Sequence, residues 1–307
     1  MLTYSQYEGW RWIFILEGLL TVVVAVIAFF IMYDFPDTAG FLSIEERAWC
    51  AHRLKYQGSK GSGRMIAESD HFEWRFVKEA LTDWQLYLCL LMYWGIVCPL
   101  YSISLFVPTI IKQLGYTAEK AQLLTIPIYI CAAILTIITC YYSDKAAKAG
   151  RARSPYVFFP MCAILVGFVM AIAASAAGTA PGAVYAGVFI ATSGIYCAFP
   201  GNITWISNNL AGSYKRAAGM AFQIGIGNLG GAMASNFYRT QDAPKFLLGH
   251  ALCIGFCALG LVSVVILRLN YARINKQRDE DLTQGGHLSN EEIARMGDRA
   301  PTFRYTL

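Results

Sequence analysis

The longest uncharged stretch of this chain, from Ser154 to Tyr214, contains no Asp, Glu, Lys or Arg. About a quarter of the residues in a typical soluble domain are charged, whereas this chain has 15% charged and 56% hydrophobic residues and a mean hydropathy of +0.43. A helix needs about 20 apolar residues to cross a bilayer, so the uncharged stretch is long enough for two such helices. The sequence therefore predicts a membrane protein.

Seven segments have the length and apolarity of a membrane span. Helices and closed barrels are the structures that satisfy their own backbone hydrogen bonds inside a bilayer, and segments of this length predict helices. We therefore predict an all-α polytopic membrane protein with seven transmembrane helices. The predicted spans are Trp12–Met32, Leu86–Ile111, Ala121–Ser143, Tyr156–Ala177, Ala183–Asn208, Ala217–Tyr238 and Phe246–Leu267.

The basic residues favour one side of this topology. When the spans are threaded in order, 20 of the 25 Lys and Arg residues fall on one side of the membrane and five on the other. The positive-inside rule then places the N-terminus outside and the C-terminus in the cytoplasm, and we expect a multi-pass protein of the plasma membrane. Because the basic residues flank apolar spans, the net charge of +5 indicates topology, and no nucleic-acid partner is predicted.

The spans divide the chain into four predicted regions. Residues 1–33 hold the first span, and residues 34–85 form a long cytoplasmic connecting loop. Residues 86–269 form a bundle of six spans, and residues 270–307 form a cytoplasmic tail.

Three patterns in the connecting loop predict local helical structure. Ser43 and Glu46 have the spacing of a capping box at the start of a helix. The segment Phe72–Leu81 mixes aromatic and charged side chains, as would a helix that lies on the membrane surface or one that packs on the bundle. Asp83 is placed to cap the second span.

The fifth and sixth spans contain amide side chains among small and apolar residues. An unpaired amide is costly in hydrocarbon, so these groups must face other helices or a wet cavity. The sixth span also has the small-xxx-small spacing of Gly227 and Gly231, which predicts close helix approach. The amides are Asn202, Asn208, Asn209, Gln223 and Asn228.

Prolines interrupt several of the predicted spans, among them the second and the fifth. Pro99 and Pro108 lie in the second span, and Pro200 with Gly201 lies in the fifth. If the last six spans are two inverted repeats of three, these two spans are equivalent, and paired interrupted helices indicate a transport site. A kink that serves only packing is the alternative.

Glu17 is the one formally charged residue inside any predicted span. A carboxylate in an apolar segment is a candidate for proton coupling or gating, and it also fits a carboxylate that packs by hydrogen bonding to a neighbouring helix. Both interpretations stay open at the level of sequence.

The loop after the third span carries an acidic residue followed by clustered bases. Asp144 ends the span, and Lys145, Lys148, Arg151 and Arg153 follow it. This order predicts an ion pair that tethers helix ends in one conformation, so Asp144, Lys145, Arg151 and Arg153 are candidates for a cytoplasmic gating loop.

Motifs for catalysis and metal binding are missing from the sequence. The nine cysteines occur singly without a CxxC pair, and we find no HExxH, no nucleophile elbow and no paired intramembrane Asp. We therefore predict that the protein is not an enzyme and binds no cofactor or metal, and that most of its cysteines are packing residues.

Several short motifs together resemble one group of transporters. They are the run Gly9–Gly18, the triplet Asp34–Pro36, Trp205 with Asn208-Asn209 and Lys215-Arg216, Gly227-Asn228, and the closing Phe303–Tyr305. In combination they resemble the anion:cation symporter branch of the major facilitator superfamily, the group of allantoate, nicotinate and pantothenate permeases. The loop after the third span also resembles the family's cytoplasmic signature, with Cys140 in place of its first glycine and Gly150-Arg151 three residues late.

The resemblance implies a transporter of which this chain is one part. Members have twelve spans, and this chain resembles the sixth to the twelfth, so residues 1–33 would be the last helix of the N-terminal half. The family implies proton-coupled symport of a small organic anion or vitamin-like nutrient by alternating access between two six-helix halves. The expected partners are an organic acid, protons, the lipid bilayer and the missing N-terminal half.

The resemblance also implies which spans line the substrate cavity. By position, the second, third, fifth and sixth spans would line it, and the fourth and seventh would face lipid. Asn208 and Asn209 could instead cap the cytoplasmic end of the fifth span. The substrate-cavity candidates are Tyr93, Trp94, Tyr129, Asn202, Asn208, Asn209, Gln223 and Asn228.

Two other kinds of protein would also fit seven predicted spans. A truncated half-transporter would carry nothing alone. A seven-helix receptor would share the predicted topology, but the long first cytoplasmic loop argues against it, as does the lack of an Asp-Arg-Tyr triplet after the third span and of Asn-Pro-x-x-Tyr in the seventh.

Overall fold

A computed structural model describes residues 3–4, 7–33, 35–55, 72–113, 115–177, 181–243, 245–283 and 296–307. The chain divides into two compact units, residues 1–57 and residues 58–307. Asp34, which belongs to one of the motifs above, lies outside the described residues.

The first unit consists of a short hairpin and two helices. Strands β1 (Thr3–Tyr4) and β2 (Tyr7–Glu8) pair antiparallel. Helix α1 (Gly9–Ile31) contains the first predicted span, and its side chains from Arg11 onward are almost all exposed. A 3₁₀ turn, Pro36–Thr38, leads to helix α2 (Ile44–Lys55).

Helix α2 begins with the predicted capping box. The Ser43 N–H donates to Glu46 Oε2 at 2.9 Å, and the Glu46 N–H donates to Ser43 Oγ at 3.2 Å. The bond from the Ser43 N–H to the Glu46 carboxylate, assisted by the Ser43 hydroxyl, lowers the pKa of the Glu46 carboxyl. The capping-box prediction is confirmed.

The second unit is a bundle of helices. Its helices are α3 (Trp74–Leu81), α4 (Trp84–Gln113), α5 (Ala118–Leu123), α6 (Thr125–Lys148), α7 (Pro155–Ala177), α8 (Pro181–Asn209), α9 (Ser213–Ala234) and α10 (Leu247–Thr283). Two 3₁₀ turns, Thr240–Asp242 and Gly297–Arg299, flank α10. Helices α4 and α8 stay helical through their interior prolines.

Glycines let α7 and α8 pack side by side. A Cβ on Gly167 of α7 would lie 2.5 Å from the backbone N of Ala191, and a Cβ on Gly194 of α8 would lie 2.6 Å from the carbonyl O of Pro160. No larger residue fits at either position without moving a backbone. Helix α6 also packs on α8 but hardly touches α7, while α4 packs between α8, α9 and α10.

Six helices among the described residues are long and apolar enough to cross a membrane. They correspond, to within one residue at Met32 and at Phe246, to every predicted span except the sixth, which overlaps α9. Helix α9 has 22 residues but carries Lys215, Arg216, Gln223, Asn228 and five glycines, which lower its hydropathy. The seventh span therefore stays a prediction.

One helix is much longer than the span predicted from the sequence. Helix α10 continues to Thr283, 16 residues past the predicted end of its span, because its charged C-terminal part remains helical and contacts the segment 296–307. Helix α3 packs on the start of α9, where the rings of Phe72 and Phe76 contact Tyr214. Asp83 caps α4 as predicted, since its Oδ1 accepts from the Gln85 N–H at 3.1 Å.

Candidate functional site

The eight cavity candidates differ in exposure. Four of them are buried between helices, where polar atoms need hydrogen-bond partners, and the side chains of the other four are partly or fully exposed. Tyr93, Asn202, Asn209 and Gln223 are buried, Trp94 and Tyr129 are half-buried, and Asn208 and Asn228 are exposed.

A seam of glycines in α9 receives aromatic rings of α4. A Cβ on Gly227 would lie 2.3 Å from Cδ1 of Tyr93, and a Cβ on Gly231 would lie 3.1 Å from the Tyr101 ring. The close approach predicted from the Gly227-xxx-Gly231 spacing is confirmed. The seam fixes the position of α4 aromatic side chains relative to α9.

Tyr93 links three helices at one level of the bundle. Its ring lies on the backbone of Gly227 in α9, and its centroid lies 5.8 Å from that of Phe199 in α8. Among the described residues, Tyr93 is one of the largest fully buried side chains, together with Trp205. Helices α4, α8 and α9 therefore meet at Tyr93.

Three side chains near Tyr93 keep hydrogen-bonding atoms that the described residues do not satisfy. They are both amide atoms of Asn202, Oε1 of Gln223 and Nε1 of Trp94. A buried unsatisfied polar group costs about 1–3 kcal/mol, so each of these atoms needs a partner such as ordered water or a bound solute.

Helix positions place these residues within about one turn of Tyr93 and the residues that contact it. Asn202 is three residues after Phe199, which contacts Tyr93, and Trp94 follows Tyr93 directly. Gln223 lies one turn before Gly227, and its Nε2 donates to the carbonyl O of Cys89 at 3.4 Å. The unsatisfied groups therefore belong to one region of the α4–α8–α9 junction.

Further along α4 and α6, polar groups lie at the open side of the bundle. The Tyr101 hydroxyl donates to Asn228 Oδ1 at 3.4 Å and so joins α4 to α9. Tyr129 of α6 meets Tyr196 of α8 edge to face, with centroids 5.9 Å apart. These side chains add hydroxyl and amide groups to an otherwise apolar surface.

The loop between α6 and α7 contains the predicted ion pair. Arg153 donates from Nη2 to Asp144 Oδ1 at 2.9 Å, next to a polar cavity of about 60 Å³. Lys145 and Arg151 are exposed and form no ion pair within the described part of the chain. Of the basic candidates, Arg153 therefore tethers the end of α6 to the start of α7.

Glu17 belongs to the first unit. Its side chain is exposed on α1, and its carbonyl O accepts from the Thr21 hydroxyl at 2.8 Å.

A buried charge cluster, which the sequence did not predict, lies where α9 begins. The Lys215 ammonium, with its side chain 3% exposed, lies 2.7 Å from Asp298 Oδ1 and 3.2 Å from Asp83 Oδ2. Tyr305 donates its hydroxyl to Asp298 at 3.1 Å, and burial, reinforced by this carboxylate, raises the pKa of Tyr305 and keeps it a donor.

Segment 296–307 crosses several helix ends and bonds to each through backbone groups. Asn209 of α8 pairs with both backbone groups of Thr306, at 2.7 and 3.1 Å. Asn275 of α10 pairs in the same way with Tyr305, at 2.8 and 2.9 Å. Trp205 Nε1 also donates to the Thr306 carbonyl at 2.7 Å, and the Ser154 N–H at the start of α7 donates to Leu307 at 3.2 Å. We call this segment the tail strap.

Sequence reasoning missed the strap because its partners are far apart in the chain. Lys215 lies in a short basic turn between two predicted spans, and Asp298 follows it by 83 residues. Nothing in the spacing of Trp205 and Asn209 from Phe303–Tyr305 indicates that these residues touch.

Comparison with known proteins connects this architecture to a family. The profile of the Major Facilitator Superfamily matches residues 2–235. The chain is 31% identical over 98% of its length to a protein named as an uncharacterised transporter in Schizosaccharomyces pombe, which it covers by 57%. It is 32% identical over 88% of its length to the MFS transporter prlL of a fungal species, covering 52% of that protein.

A further relative carries a substrate in its name. The chain is 26% identical over 98% of its length to the high-affinity nicotinic acid transporter of Saccharomyces cerevisiae and covers 54% of it. The chain thus spans about half the length of the curated relatives it matches. With six helices suited to a bilayer and a profile match over most of its residues, this multi-pass membrane protein belongs to the major facilitator superfamily.

Proposed function

We propose that this chain is part of a transporter that moves a small organic anion or vitamin-like nutrient across the membrane by alternating access, coupled to protons. Its relatives are named transporters, and one of them is named for nicotinic acid. In this proposal α9 is the seventh span, the chain corresponds to the sixth to twelfth helices of the fold, and the C-terminus is cytoplasmic in the plasma membrane.

The observation that carries the proposal is the unsatisfied polar chemistry around Tyr93. Asn202, Gln223 and Trp94 hold buried hydrogen-bonding atoms without partners among the described residues. Donors and acceptors kept unpaired in an apolar bundle suit a site that binds and releases a polar solute. Tyr129, Asn208 and Asn228 would extend the path, which Tyr101 and Tyr196 also border, whereas the amide of Asn209 is held by Thr306 of the tail strap.

Proton coupling and gating would use residues outside the α4–α8–α9 junction. Glu17 is the proposed proton carrier. The Asp144–Arg153 pair, with Lys145 and Arg151 beside it, is the proposed gate, since a tether between helix ends favours one conformation over another.

Uptake of labelled nicotinate into vesicles tests the proposal. The 307-residue chain is reconstituted alone and together with a separately expressed N-terminal half, and nicotinate uptake is measured with the outside acidic, without a pH gradient, and with a protonophore. We expect uptake above that of protein-free vesicles, stimulated by the acidic exterior and abolished by the protonophore. Uptake that ignores the gradient would remove proton coupling from the proposal.

A conservative substitution tests the junction. Trp94→Phe keeps an aromatic ring but removes the N–H, and the loss of one hydrogen bond should raise the half-saturating nicotinate concentration about 2- to 10-fold. Trp84→Phe is the control because Trp84 is 51% exposed at the start of α4. If Trp94→Phe and Trp84→Phe have the same half-saturating nicotinate concentration, the junction is not the binding site.

A half-transporter without activity of its own is the second candidate. Its support is that the chain covers only 52–57% of the relatives described above. Absence of nicotinate uptake by a folded chain, together with uptake once a separately expressed N-terminal half is added, would establish this candidate.

A further inference from the structure

A groove on the outer face of the bundle lies between helices that barely touch. Helices α6 and α7 both pack on α8 and hardly contact each other. Two cavities, of about 480 and 340 Å³, occupy the gap and share Thr139 and Pro160 in their walls. We call this continuous space the α6–α7 groove.

The walls of the groove are mainly apolar. Cys131 and Leu135 of α6 form one wall, Phe159 and Ala163 of α7 form the other, and Ile190 of α8 lies at the floor. Phe159 is 67% exposed, so a large ring at the edge of the groove is uncovered by this chain. Such a surface suits a hydrocarbon chain.

One end of the groove is basic. Arg151 lines the larger cavity and is exposed, and Lys145 and Lys148 are exposed on the last turn of α6. The acidic neighbour Asp144 is already paired with Arg153. The net positive charge at this end therefore suits an anionic group.

The length of the groove matches one leaflet of a bilayer. From Ala146 to Cys131 the α6 wall covers 16 residues, and the 15 steps between them span about 22 Å at 1.5 Å per residue. Half of a bilayer, headgroups included, is about 20–22 Å thick. A lipid with its headgroup at Arg151 would therefore reach the middle of the membrane along the groove.

We propose that the α6–α7 groove binds one anionic phospholipid, with its phosphate beside Arg151 and an acyl chain between α6 and α7. The cytoplasmic leaflet is rich in anionic lipids, and the side assignment rests on the topology proposed above. The binding itself depends neither on that topology nor on transport, so it is tested separately from both.

Native mass spectrometry of the purified 307-residue chain measures this binding. Phosphatidylserine and phosphatidylcholine with identical acyl chains are titrated in turn. We expect one phosphatidylserine to be retained at least about 5-fold more tightly than phosphatidylcholine, which corresponds to about 1 kcal/mol for a basic residue near the membrane surface.

Two variants separate the headgroup from the chain. Arg151→Gln should weaken phosphatidylserine binding about 5-fold and leave phosphatidylcholine unchanged. Ala163→Trp should fill the groove and weaken both lipids. The matched controls are Arg268→Gln, an exposed arginine on α10, and Leu259→Trp, which is 54% exposed on α10, and neither should change binding.

Several outcomes would overturn the proposal. Equal retention of the two lipids would do so, as would phosphatidylserine binding that survives both Arg151→Gln and Ala163→Trp. A dimer of this chain that Ala163→Trp abolishes, with no retained lipid, would assign the groove to a second copy instead. Arg151 is exposed, so its variant keeps the test valid even if Ala163→Trp does not fold.

Discussion

Lys215 places a charged ammonium group among side chains that exclude water. Its partners Asp83 and Asp298 are themselves nearly buried, so all three charges depend on one another. A buried ion pair adds little over an apolar replacement of the whole cluster, but removing one partner leaves the others uncompensated.

Replacing Lys215 alone should therefore destabilise the protein strongly. We expect Lys215→Met to lower the free energy of unfolding by about 3–5 kcal/mol, because two buried carboxylates lose their counter-charge. Thermal unfolding of the purified protein in detergent measures the change. The control is Lys245→Met, at an exposed lysine. If Lys215→Met and Lys245→Met unfold at the same temperature, the charge cluster does not contribute to the stability of the fold.

At the scale of elements, the contact between α4 and α9 requires a residue without a Cβ at position 227. Gly227→Ala brings a Cβ to within 2.3 Å of the Tyr93 ring, so α4 and α9 must separate at the junction. We expect a loss of about 1–3 kcal/mol of stability, which is typical of overpacking. Unfolding of the purified protein again supplies the measurement.

The same helix offers a matched control for this substitution. A Cβ on Gly225 would meet nothing within 4 Å, so Gly225→Ala should keep stability or raise it slightly through helix propensity. Equal losses in the two variants would mean that flexibility of α9, and not its fit against Tyr93, is what glycine provides.

The tail strap is the second element whose contribution can be measured. Asn209→Ala removes two hydrogen bonds to Thr306 and leaves the Thr306 N–H unpaired, while the Thr306 carbonyl keeps its bond from Trp205, and the change should cost about 1–3 kcal/mol. We expect faster proteolysis within residues 296–307 in this variant. Asn208→Ala, at the exposed neighbour, should be cleaved at the rate of the unmodified protein, and equal rates in all three would disprove the anchoring role of Asn209.

Sequence reasoning predicted the helices well and their side-chain partners poorly. Apolar runs such as Tyr156–Ala177 match α7 to within one residue, because bilayer thickness fixes both the length and the composition of a span. The pairing of Lys215 with Asp298 depends on how distant segments fold together. Likewise, the sequence predicts that amides face other helices or a cavity, but helix rotation decides that Asn202 and Gln223 are buried while Asn228 is exposed.

At the scale of the whole molecule, the topology depends on whether α9 crosses the membrane. If α9 crosses the membrane, residue 245 lies on the opposite side from residue 148, because α7, α8 and α9 separate the two. If α9 does not cross, both residues lie on the same side. The topology proposed above places residue 148 in the cytoplasm and residue 245 outside.

Labelling of single cysteines in intact cells decides between these topologies. In a background with the nine native cysteines replaced, Lys148→Cys and Lys245→Cys are treated with an impermeant maleimide. We expect labelling at position 245 only, and labelling at position 148 after permeabilisation. If both positions react only after permeabilisation, α9 does not span the membrane.

The tail strap has a consequence for how the protein is made. Every helix end that it touches precedes residues 296–307 in the chain, so those helices leave the ribosome first. A nascent bundle whose helices have all reached the bilayer still lacks the Asp298 carboxylate beside Lys215 and the backbone partners of Asn209 and Asn275. The helices that the strap joins are therefore made before residues 296–307, and their ends gain these contacts only after that segment is translated.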